Sequence, residues 1–195
     1  INGSITVNIE ETGCKPIKIG ELYGGGNQAG YSVYGYDSDD KPIESGTTPI
    51  YNDPQVNIKS FTSIGDVYGG GLGSGATMVG NPTVNVNVTN GKYYNDDVSV
   101  VGENAKTPGD YPIPSHAKGK MGAINNVFGG GNAAKVIGNT NVNIGTQSTV
   151  DYVSKGSNET EAQTGLTVLG ADIRGNVYGG GNNAEVTGNT NVTIG

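Results

Sequence analysis

NVYGGGNNAEVTGNTNVTIG, residues 176–195, recurs at 126–145 as NVFGGGNAAKVIGNTNVNIG. An internal repeat decides the fold before any single residue does. A looser copy stands at 66–87, DVYGGGLGSGATMVGNPTVNVN, with two extra residues after the glycines. A fourth is split between ELYGGGNQAG at 21–30 and NDPQVNIK at 52–59. The chain opens on half a unit, because GSITVNI at 3–9 lines up with GNTNVNI at 138–144, and it closes at Gly195 in the same phase. Residues 1–195 therefore read as a single domain, of the kind expected from a slice of a longer array.

The apolar positions show what one unit is. Val7, Val56, Val84, Val142 and Val192 alternate with Asn and Thr and are followed two positions later by Ile9, Ile58, Val86, Ile144 and Ile194. A period of two with β-branched residues on one face is strand chemistry. A second short strand holds Ala29 and Tyr31, Ala76 and Met78, Ala134 and Val136, Ala184 and Val186. A third carries Leu22-Tyr23, Val67-Tyr68, Val127-Phe128 and Val177-Tyr178. Three short strands per unit predict an all-β fold, a right-handed parallel β-helix of about four to five coils with loop or hairpin insertions. Stacked coils would demand the same corner conformation each time, so the Gly-Gly-Gly-Asn runs at 24–27, 129–132 and 179–182 are expected to adopt positive φ. The Gly-Asn pairs at 80–81, 138–139 and 188–189 are expected to form a second corner.

Only 33% of the residues are hydrophobic and 35 are Gly, a mix that by itself resembles a disordered chain. Strict alternation in five aligned places argues otherwise, because it lets the chain bury a continuous apolar stripe. The net charge of -7, with ten Lys and one Arg, excludes a phosphate-binding surface and with it nucleic acid and anionic membranes as partners. No stretch is apolar enough for membrane insertion. The single cysteine, Cys14, rules out an internal disulfide framework and reads as a reduced surface thiol.

Three insertions interrupt the repeat, at 34–53, 89–122 and 146–171. The first enters between the second and third strands of its unit, and the other two share the corner between the third strand and the next first strand. Similar apolar segments, 99–102 and 167–170, predict that these two are built alike, as hairpins side by side on one edge. Insertions of solenoids collect on one face and often bind there. The aromatic side chains on that edge, Tyr93, Tyr94, Tyr111 and Tyr152, are the candidates for ligand contact. Tyr23, Tyr68, Phe128 and Tyr178 occupy one position of the repeat and form a structural ladder. Alternation places them opposite Leu22, Val67, Val127 and Val177, hence on the outer face, where they stack neighbour on neighbour and stabilise the coil or, alternatively, offer an aromatic platform.

Chemistry has little to work with. The densest acidic cluster, Asp37, Asp39 and Asp40, is a weak calcium candidate, and calcium is the one cofactor left open. Lys41 and Pro42 stand where a helix-loop-helix calcium loop needs an oxygen ligand and a glycine. No other metal site is indicated, since the sole histidine, His116, has no neighbouring ligand. Catalytic residues are not found: carboxylates such as Asp96, Asp97, Asp151 and Glu161 lie on the insertions without a pattern that pairs them. The glycine runs lack the Lys-Ser or Lys-Thr of a phosphate loop.

Val-Tyr-Gly-Gly-Gly-Asn followed by Ala-x-Val-x-Gly-Asn-Thr-x-Val-x-Ile resembles the glycine-rich repeats of large surface proteins of gut anaerobic bacteria, taken to be β-helical and adhesin-like. The likeness covers the repeat cores and not the insertions. It implies secretion or cell-surface display, a non-catalytic structural or adhesin-like module, and a glycan or host surface protein as partner. The alternative is a carbohydrate-active β-helix, either a lyase- or glycosidase-like enzyme or a lectin. Exposed unit faces at the ends are expected to allow end-to-end self-association.

Overall fold

The computed structural model describes residues 2–10, 17–89, 122–146, 149–153, 162–170 and 172–195, with the strands at 88–89, 149–153 and 162–170 described through their backbone. Along the chain run β1 (Thr6–Glu10), β2 (Lys18–Tyr23), β3 (Tyr31–Ser32), β4 (Gln55–Ser60), β5 (Ser63–Tyr68), β6 (Met78–Val79), β7 (Thr83–Val86) and β8 (Val88–Thr89). They continue with β9 (Ala123–Phe128), β10 (Val136–Ile137), β11 (Thr140–Ile144), β12 (Thr149–Val153), β13 (Ala162–Gly170), β14 (Asp172–Ile173), β15 (Val177–Tyr178) and β16 (Thr190–Ile194). No helix occurs among the described residues.

The units stack into three parallel sheets, an arrangement of the β-helix-like kind. The first orders β1-β4-β7-β11-β16, the second β3-β6-β10, and the third β2-β5-β9 with β14 and β15 both on β9. Register follows the repeat. Val7 pairs with Val56, Val56 with Val84, Val84 with Val142 and Val142 with Val192, and the Ile9-to-Ile194 column is aligned in the same way. A parallel register this uniform is favoured because a slip of one residue would turn every apolar side chain outward. Val56, Val84 and Val142 are fully buried, and with Ile58, Val86 and Ile144 they face Leu22, Ile64, Val67, Ile124 and Val127 of the third sheet. Burying each such side chain stabilises the stack by roughly 1.5–3 kcal/mol. A smaller cluster, Tyr31, Val33, Met78 and Val136, lines the second sheet.

Polar columns accompany the apolar ones. Asn57 Nδ2 donates to Asn8 Oδ1 (3.0 Å), Asn85 to Asn57 (2.9 Å) and Asn143 to Asn85 (2.9 Å). At the Gly-Asn corner, the Asn139 N–H donates to Asn81 Oδ1 (2.9 Å) and the Asn189 N–H to Asn139 Oδ1 (2.8 Å).

The glycine runs require a correction. Positive φ is expected within Gly-Gly-Gly-Asn, but the left-handed residue is the one after it: Gln28 (55°), Gly73 (83°), Ala133 (53°) and Asn183 (56°). The three glycines are there for space. A Cβ on Gly69 would lie 2.3 Å from the carbonyl oxygen of Gly129, and one on Gly129 would lie 2.3 Å from that of Gly179. Side chains at this corner would hold successive units apart. At the second corner positive φ is found, at Gly80 (141°) and Gly138 (144°).

The insertion at 146–171 contains an antiparallel pair, β12 with β13, and β13 also pairs antiparallel with β8. The segment 99–102, expected to match it, lies outside the described residues.

Candidate functional site

The aromatic ladder forms, but not as a platform. Tyr23, Tyr68, Phe128 and Tyr178 stack with ring centroids 4.8 Å apart at each step, within 14° of parallel. The residues before them in the strand, Leu22, Val67 and Val127, face the core, so the strand does direct the rings away from it. Solvent nevertheless reaches little of them: Tyr68 is 2% exposed and Phe128 9%, against 45% for Tyr178 in the last unit. Neighbouring rings cover the faces, and the asparagines of the glycine corner meet the edges. Asn132 Nδ2 donates to Tyr23 Oη (3.2 Å), and Asn182 bonds the Tyr68 hydroxyl. Burial pushes the Tyr68 hydroxyl up to about 12, with the Asp66 carboxylate adding to it. The ladder is thus a seam that joins units, and the alternative of an aromatic platform has little ring surface to offer at Tyr68 and Phe128.

Asp37 closes its own loop. Its Oδ1 accepts from the Asp39 N–H and the Lys41 N–H, both at 2.9 Å, and the Lys41 N–H followed by the Asp39 N–H holds its carboxyl below the usual range. Asp39 and Asp40 are exposed beside it, and Asp40 has a φ of 59°. Tight-turn geometry accounts for these positions.

Tyr93, Tyr94, Tyr111, Asp96, Asp97, His116, Glu161 and Cys14 lie outside the described residues. Asp151 and Tyr152 are placed on β12 by the backbone alone.

The structure brings together residues of the first insertion that sequence reading had left unassigned. A groove of about 470 Å³ runs between that insertion and the Gly-Asn corner, with Tyr34, Glu44, Tyr51 and Asp53 on its wall and Gly80 and Gly138 in its floor. The wall is held by the strand it leaves. Ser32 Oγ donates to the Ile43 carbonyl (2.5 Å) and accepts from the Tyr34 N–H (3.0 Å). Tyr31 Oη donates to the Asn52 carbonyl (2.7 Å), and the N–H groups of Ile50 and Tyr51 share the Val33 carbonyl. Tyr31 is 1% exposed, and burial pushes its hydroxyl up to about 12. Its ring tilts against Tyr51 at 6.5 Å. Tyr34 is half-buried, lying so close to Gly46 that a Cβ there would be 2.6 Å from its ring. Asp53 Oδ1 accepts from the Asn81 N–H (2.6 Å), and Asn81 Nδ2 reaches both carboxylate oxygens. Asp53 thereby latches the end of the insertion to the next unit.

Comparison with protein-family models, curated proteins and solved structures finds no match.

Proposed function

We propose that the chain is a right-handed parallel β-helix, a closed solenoid of about four to five coils, serving as a non-catalytic adhesin-like module of a secreted or cell-surface bacterial protein. It binds a glycan or a host surface protein through the edge formed by 89–122 and 146–171. Right-handedness follows from the general hand of crossovers between parallel strands. The observation that supports the reading is the division between scaffold and insertion. Five strands keep one register through their two apolar columns, while β13 of the third insertion fastens back onto β8, at the root of the second. Inserted chain anchored in this way on a stiff stack is suited to presenting a recognition surface.

Replacing both insertions by a Gly-Asn turn tests this. The expected result is a melting temperature within a few degrees of the parent and loss of binding on a glycan array and to host cells. A shortened chain that binds as before would reject the edge. One observation favours a second reading, a carbohydrate-active enzyme: Glu44 and Asp53 line the same groove. A glycosidase needs an acid and a facing nucleophile or base, and Asn81 already engages both oxygens of Asp53. No reducing ends should be released from any polysaccharide; reproducible release would replace the adhesin reading with the enzymatic one.

A further inference from the structure

The groove at the first insertion lies at a different corner from the proposed binding edge, and its chemistry points to a ligand of its own. We infer that it binds a neutral saccharide. Three features lead there. The first is shape and stiffness: an open groove of about 470 Å³ is large enough for one or two sugar rings, and its wall is fixed by hydrogen bonds to buried residues rather than left to order on binding. The second is the aromatic surface. Tyr34 and Tyr51 are half-buried and line the groove, Tyr34 close against Gly46 and Tyr51 tilted against Tyr31. A half-buried ring offers the apolar face of a sugar a flat surface and has less rotamer entropy to lose than an exposed one.

The third feature is charge. The lining contains Glu44 and Asp53 and no Lys, Arg or His. Carboxylates accept hydrogen bonds from vicinal hydroxyls and repel uronates, sialic acids and phosphates, so the groove selects against anionic sugars. Asp53 is held by Asn81 and keeps lone pairs to spare, which makes it a fixed acceptor, and Glu44 is exposed at the rim.

The test uses the full 195-residue chain, labelled with nitrogen-15 and titrated with glucose, galactose, mannose, N-acetylglucosamine and their β-linked disaccharides, with glucuronic acid and a lysine-rich peptide as counter-probes. We expect shift changes confined to the groove for at least one neutral sugar. Tyr34→Ala should weaken that sugar by about tenfold or more, and Glu44→Gln by several-fold. Gly46→Ala, whose methyl displaces the Tyr34 ring without removing it, should also weaken binding and covers the case in which Tyr34→Ala fails to fold. Glucuronic acid should bind about tenfold more weakly than the neutral sugar. Shortening 89–122 and 146–171 should leave these titrations unchanged, so loss of the edge and loss of the groove are read separately. The inference is overturned by an absence of groove shifts with every neutral sugar, by equal binding of glucuronic acid, or by tighter binding of the peptide than of any sugar.

Discussion

Gly130 and Gly180 occupy the same place in consecutive units and differ in what lies beyond them. A Cβ on Gly130 would sit 2.8 Å from the Gly181 nitrogen, 2.9 Å from the Gly181 Cα and 3.1 Å from Val186, whereas one on Gly180 would meet nothing within 4 Å. Neither glycine has positive φ. If close approach of units is why glycine is needed, Gly130→Ala must push backbone from backbone, at an overpacking cost of about 1–3 kcal/mol. It would also strain the 3.0 Å bond from the Gly130 N–H to the Gly180 carbonyl, adding about 1 kcal/mol. Together these lower the melting temperature by roughly 5–15 °C for a chain of this size. Gly180→Ala should be neutral, or stabilise by about 0.4–1 kcal/mol through the unfolded state. Thermal and urea unfolding followed by circular dichroism, with amide exchange reporting on the 126–145 unit, would separate the two. Equal destabilisation by both substitutions would refute the spatial explanation and return the glycine run to a conformational one.

Three further outcomes follow from burial. Val142→Asp places an unpaired charge where the side chain is 0% exposed and should unfold the units around it, whereas Val192→Asp, at a position 43% exposed, should melt close to the parent. The hydroxyls of Tyr31 and Tyr68 are raised from 10.0 to about 12, so the stability they contribute is complete below pH 10 and lost as pH rises through 12. Unfolding free energies from urea titrations should fall over that window by up to about 1.4 kcal/mol per pH unit for each tyrosine, and Tyr31→Phe should flatten the fall. In this 195-residue chain Val192 and Ile194 are 43% and 67% exposed where their neighbours Val142 and Ile144 are 0% and 5%, so light scattering should show concentration-dependent self-association, reduced by Val192→Asp. A strictly monomeric protein at high concentration would exclude it.

The strand columns were legible because the repeat writes them out: once Val142 and Val192 are aligned, parallel pairing is the arrangement that puts both in one column and buries Val142. The cause of the glycine run was not. Sequence shows that glycine recurs, but a residue chosen for its φ and one chosen for its missing Cβ look the same until the neighbouring unit is in place. The true left-handed column reads Gln28, Gly73, Ala133 and Asn183, residue types so varied that no compositional signal marks it. The groove was hidden for a different reason. Tyr34 and Asp53 bracket an insertion that obeys no period, and the Asn81 that fixes Asp53 and the Gly138 in the floor belong to later units. Only the convergence of the insertion's two ends on one corner could have hinted at it.

The polar columns also explain why acids and amides alternate as they do. In each, the later unit donates and the earlier one accepts: Asn81 onto Asp53, then Asn139 onto Asn81 and Asn189 onto Asn139. A parallel column runs from Asp66 through Asn126 to Asn176. A side chain in mid-column must accept from the unit after it and also place its own donors, which suits asparagine, a carrier of both functions. Asp53 and Asp66 accept from the unit that follows them, which suits a carboxylate, and the charge strengthens the bond it receives. Repetition of Asn in this chain is therefore directional: each unit offers an oxygen that the backbone or side-chain amide of the following unit, in register, fills. That demand and the apolar columns select the same stagger, and agreement between the two is what lets so glycine-rich a sequence specify one stacked arrangement.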